Sequence, residues 1–160
     1  MERIIFYILA AVTVIGTLCA ITARQAVRAI VYLVTSFFAL ALIFYLLGAP
    51  FVAALEVIIY AGAIMVLFLF VIMMVEVASP EKLAKPALSD WWPALALVLV
   101  VVASLTVLVA GQAPPVPGAG AQTVRQFSQV LFTRYGVAIE LVSMQLLFAL
   151  VGALYLGRRR

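Results

Sequence analysis

Residues 54–76 read ALEVIIYAGAIMVLFLFVIMMVE, an apolar run of membrane length with one carboxylate, Glu56, set inside it. A hydrocarbon core about 30 Å thick takes roughly 20 apolar residues to cross as a helix. Inside lipid every backbone polar group needs a partner within the segment, so this stretch reads as a transmembrane helix and not as a strand. A Glu at that depth is costly and points to the handling of ions or protons.

Working outward, four more apolar runs flank it. The five spans fall at about 4–21, 26–47, 51–75, 93–110 and 137–156. The composition agrees: of 160 residues, 68% are hydrophobic and only 10% charged, with a mean hydropathy of +1.30. A soluble domain of this size needs a far more charged surface. The expected fold is an all-α integral membrane protein of five transmembrane helices, forming a single membrane domain over residues 1–160. The first run follows a charged segment of only Glu2 and Arg3, and Leu18 precedes Cys19 where a lipoprotein signal wants a small residue. It is read as a retained span rather than a cleaved signal peptide.

Five spans place the termini on opposite sides. One side carries Arg3, Arg125 and Arg134; the other carries Arg24, Arg28, Lys82, Lys85, Arg158, Arg159 and Arg160. Seven cations against three predict an external N-terminus and a cytoplasmic C-terminus. The net charge of +4 is therefore a matter of topology, and no nucleic-acid partner is expected. Gly48-Ala49-Pro50 predicts a tight hairpin, and Ser79-Pro80-Glu81-Lys82 opens a polar inner loop in which Pro86 discourages helix. Trp91 and Trp92 suit an aromatic belt at the start of the fourth span, with Pro93 in its first turn. The stretch GQAPPVPGAG, residues 111–120, reads as an extended outer loop. After it, Thr123 suits the cap of an interfacial helix over 123–135, with Val124, Phe127, Leu131 and Tyr135 on one face.

Chemistry-bearing residues are few. The chain has no histidine and one cysteine, Cys19, which removes His-ligated haem, a His-based metal site and a disulfide. No cofactor is expected on this chain. Glu56 is the first candidate, with Tyr60 four residues on. It is a carrier of protons or ions, or a polar anchor satisfied by the Tyr60 hydroxyl or by backbone. Ala61-Gly62-Ala63 marks either close helix packing or a site where the backbone accommodates a π-bulge that re-aims side chains. Glu140, with Ser143 and Gln145 nearby, begins the fifth span. It is either a solvated helix-start acid or a second proton site. Glu76 reads as a boundary residue and Arg24 with Arg28 as inner-interface anchors. Gly16 with Ala20 and Ala149 with Ala153 are small-residue pairs of the kind that line helix contacts.

On these residues the chain resembles the subunit J family of bacterial NADH-quinone oxidoreductase (respiratory complex I), the counterpart of mitochondrial NADH dehydrogenase subunit 6. Ala54 to Met74 looks like that family's signature third helix. LFTRYGVAIELVSMQLLFALVGALYLGRR, from Leu131 to Arg159, is similar to its last span, and ARQAVRAIVYLVTSFFALALIFYLLGAPF, from Ala23, to its second. The resemblance implies a membrane-arm subunit that couples quinone reduction to proton translocation in the bacterial plasma membrane. It implies that Tyr60, Gly62, Met65 and Phe68 form a region switching between π-bulged and regular helix. It also implies that Glu56 belongs to a charged axis along the arm, with Glu140 matching an acid of less defined role. NAD, FMN, iron–sulfur clusters and quinone are expected on other subunits, and the partners are the other membrane-arm subunits and the lipid bilayer. Two further readings remain: a subunit of a related cation/proton antiporter or ion-translocating hydrogenase, and a purely structural subunit.

Overall fold

The computed structural model describes residues 2–76, 91–111 and 119–158, and leaves aside the side chains of residues 2, 76 and 119–123. The expected inner loop at 79–86, the extended stretch 112–118 and the terminal Arg159 and Arg160 lie outside the described residues. All the regular structure among the described residues is helical. Five helices are long and apolar enough to cross a membrane: Arg3–Thr22, Ala26–Leu46, Pro50–Val75, Trp92–Ala110 and Gly136–Gly157. Each lies within a residue or two of the run that predicts it.

The chain divides into two compact units, Met1–Ala113 and Pro114–Arg160. In the first, α1 (Glu2–Thr22) and α2 (Ala26–Leu46) form a close pair. Glycine makes the closeness possible: a Cβ built on Gly16 would stand 3.3 Å from both the Ser36 Cβ and the Tyr32 carbonyl oxygen. Hydroxyls link the helices at this crossing. Ser36 Oγ donates to the Thr13 carbonyl across the interface at 3.0 Å, and Thr17 Oγ1 lies 3.0 Å from Ser36 Oγ. Small residues and hydroxyls are the natural adhesive of helices in lipid, where apolar burial gives no driving force.

The α2–α3 turn is a Schellman motif. Gly48 takes φ 79°, its N–H donates to the Tyr45 carbonyl at 3.1 Å, and Ala49 N–H donates to Phe44 O at 3.0 Å. Glycine suits that left-handed position because it has no Cβ to clash. Pro50 then begins α3 (Pro50–Leu55) at its first turn, where its missing N–H would have no helical partner anyway. The third span continues through a π-helical segment, Glu56–Ile64, into α4 (Met65–Glu76). Helix α5 (Trp92–Ala110) again starts with a proline in its first turn, and Trp92 is exposed beside it. Helix α2 is the hub: α1, the third span and α5 all pack on it. Leu9 and Val12 of α1, Ala39 and Ile43 of α2, and Val101 of α5 make the core.

The second unit holds α6 (Ala119–Arg134) and α7 (Gly136–Gly157). Helix α6 begins earlier than the sequence predicts, which corrects two expectations. Ala119 and Gly120 are helical rather than part of an extended loop, and Thr123 lies inside the helix rather than at its cap. The reason is local. Proline restricts its own residue and the one before it, and the last proline is Pro117, so nothing bars helix from Ala119. Tyr135 falls between α6 and α7 as the residue before Gly136, so it does not extend the α6 face.

Candidate functional site: the π-helical turn of the third span

The third span enters its special segment normally, with Glu56 N–H donating to the Val52 and Ala53 carbonyls. At the far end Met65 N–H donates to Tyr60 O, five residues back, which is the π-type bond. A π turn holds one residue more than an α turn, so the packed side of the helix skips. Ala53, Glu56, Ala61 and Met65 are buried, and the step of five from Glu56 to Ala61 is where the extra residue enters.

That step decides how the predicted site residues are arranged. Glu56 keeps only 9% of its surface exposed, whereas Tyr60 keeps 46%. Ala61 occupies the buried position that regular spacing reserves for Tyr60, and the Tyr60 ring is turned to the flank. There it meets Phe37 of α2, with ring centroids 5.6 Å apart and planes at 48°. Offset, tilted ring pairs at this separation are favourable. Among the described residues, no hydrogen bond or ion pair to the Glu56 carboxylate is formed. Of the other expected switch residues, Met65 is buried, while Gly62 and Phe68 are exposed within their unit. A Cβ on Gly62 would stand 3.1 Å from the Val57 carbonyl oxygen, five residues back in the same helix.

An open cavity of about 360 Å³ lies between α2, the third span and the C-terminal end of α5, lined by Ala53 and Val57 on either side of Glu56 in sequence and by Leu42, Tyr45 and Leu105. Its walls are apolar apart from Tyr45, so it offers few partners to a water chain.

Glu140 belongs to the second unit, one turn into α7, and is exposed there. Ser143 Oγ donates to the Ile139 carbonyl at 3.0 Å, so its proton stays within its own helix. Gln145 is exposed as well, and so are Ala149 and Ala153, the small-residue pair of that helix.

The sequence profile of the NADH-ubiquinone/plastoquinone oxidoreductase chain 6 family matches residues 16–156. The chain belongs to that family. The match takes in the π-helical segment, Phe37 and Glu140. The chain is 43% identical over 161 residues to the NADH-quinone oxidoreductase subunit J of Pseudomonas aeruginosa, covering 96% of this chain and 95% of that one. It is 40% identical to the subunit J of Escherichia coli (strain K12), covering 96% of this chain and 85% of that one. To the subunit J of Buchnera aphidicola subsp. Schizaphis graminum it is 33% identical, covering 98% of each.

Two features escape a reading of residues alone. Phe37 is one of ten phenylalanines, and nothing in its spacing shows that it faces Tyr60. The Thr13–Thr17–Ser36 cluster has a partial signal in Gly16 and Ala20, which mark the contact face of α1 but not its partner.

Proposed function

We propose that this chain is a membrane-arm subunit of a bacterial proton-pumping NADH-quinone oxidoreductase, coupling quinone reduction to proton movement through its third helix. The carrying observation is a π-helical turn that begins at a buried carboxylate, in a chain of the chain 6 family. NAD, FMN, iron–sulfur clusters and quinone act on other subunits, and the redox chemistry is theirs. The chain lies in the bacterial plasma membrane, N-terminus outside and C-terminus cytoplasmic.

The mechanism follows from helical register. An α-helix advances about 100° per residue. Closing one π turn into an α turn therefore rotates the helix beyond it by about that angle. Tyr60 would follow Glu56 at the regular i+4 spacing and replace Ala61 on the packed side. The surroundings of Glu56 then change from an apolar groove to a phenol hydroxyl, which accepts and donates hydrogen bonds. A carboxylate connected to water in one register and isolated in the other is a gate. A gap of a few kcal/mol between registers lets a distant redox event bias it. Glu140 is a second, less defined proton site.

Glu56→Gln in the assembled enzyme tests the reading. Fewer protons are expected to move per electron, with NADH oxidation by an artificial acceptor unchanged. Unaltered proton yield would remove Glu56 from the path, and unaltered yield after replacing Glu140 as well would favour a purely structural subunit. Native gels with in-gel NADH oxidation separate this assembly from a smaller antiporter-like or hydrogenase-like one.

A further inference from the structure

The geometry points to Phe37 as a positioning residue: its ring, carried on backbone held by the α1–α2 clasp, braces Tyr60 and thereby sets the register of the third helix. The inference rests on the switching role proposed for that helix, and adds the part of the protein against which it switches.

Ser36, the residue before Phe37, is immobilised on three counts. It is buried, its hydroxyl donates to Thr13 O at 3.0 Å, and the Gly16 backbone approaches so closely that a single added carbon would stand 3.3 Å from its Cβ. Thr17 Oγ1 adds a contact to Ser36 Oγ at 3.0 Å and donates to Thr13 O at 2.8 Å. Phe37 follows about 100° further round α2, on the side where the π-helical segment packs. A ring on anchored backbone thus meets a ring carried by the segment that changes register. Tyr60 can rest on Phe37 from the flank only while Ala61 fills the packed position. In the regular register Tyr60 swings inward and the ring pair at 5.6 Å is lost. Phe37 therefore favours the π register without touching Glu56, and its removal tilts the balance toward the regular one.

The test uses the assembled enzyme with Phe37→Leu, Phe37→Tyr, Tyr60→Leu and the Phe37→Leu/Tyr60→Leu double variant. Electron cryo-microscopy during turnover counts particles in each register, and proton yield per electron is measured alongside. Phe37→Leu is expected to lower the π-to-regular ratio roughly two- to tenfold, the range an aromatic pair carries, and to lower the proton yield. Phe37→Tyr keeps a ring and should restore both. In the Tyr60→Leu background the Phe37 change should add nothing, because its effect runs through that ring. If Phe37→Leu disrupts assembly, Phe37→Met replaces it, being flexible and of similar bulk. Two registers whose ratio ignores Phe37, or a Phe37 effect that persists undiminished without Tyr60, overturns the inference alone. A wild-type enzyme that keeps one register throughout turnover overturns the switch and this inference together.

Discussion

At the scale of single residues, the third span turns on Gly62. Its missing side chain leaves room for the Val57 carbonyl, which would otherwise face a carbon at 3.1 Å. Nothing else stands within contact distance of that carbon, so an added methyl acts on backbone register rather than on packing within the unit. Gly62→Ala should therefore favour the regular helix, first by crowding the i−5 oxygen and second by the greater helix propensity of alanine. Together these amount to about 1 kcal/mol, a roughly fivefold fall in the π-to-regular ratio. Particle classification of the assembled enzyme reads that ratio directly; a ratio unmoved, or moved toward π, contradicts the account. Gly62→Leu adds bulk beyond the methyl and should lower coupled activity further. Glu56 was legible as a candidate because a lone acid in an apolar run is conspicuous whatever the fold. Its separation from Tyr60 was not, since i+4 implies a shared face only while the turns are regular.

At the scale of elements, span lengths were readable to a residue or two because bilayer thickness fixes them. The start of α6 was misread because ten residues were judged by their prolines, although the reach of Pro117 ends before Ala119. Helix partners were the least legible, since apolar side chains pack on lipid as readily as on protein. Gly16 is the exception, and it carries a prediction. The hydroxyl links at the α1–α2 crossing contribute modestly, about 0.6 kcal/mol each on average in membranes. Ser36→Ala should thus weaken the pair only slightly. Gly16→Leu must push the helices apart, breaking those links and opening the core around Leu9, Val12 and Ala39 together, at a cost of roughly 2 kcal/mol or more. The temperature at which the subunit leaves the detergent-solubilised assembly measures both. Equal shifts for the two variants would mean that the hydroxyls, and not the close approach, hold the crossing.

At the scale of the whole molecule, direction in the membrane is a matter of charge. Helix lengths and packing are indifferent to which side is cytoplasmic, whereas the cations are not. The α1–α2 connection carries Arg24, and the first turn of α2 adds Arg28, whose Nε donates to the Gln25 side chain at 2.9 Å. The α2–α3 turn, Leu47 to Ala49, has no charge at all. Adjacent turns of this contrast favour the basic one inside, since cationic segments resist transfer across the membrane. Direction matters to the proposed mechanism, because Glu56 lies near the N-terminal end of its span, and an outward-facing start to that span would have it receive or release its proton on the outer side. The check is to replace Cys19 with alanine and place a cysteine at Ala49 or at Ala23. A membrane-impermeant maleimide should label position 49 in intact spheroplasts and position 23 only after permeabilisation. The reverse pattern would invert the chain and make Glu56 the cytoplasmic end of any path it serves. Labelling at position 49 alone, with the proton yield of Glu56→Gln reduced, would put the gate on the outer half of the membrane.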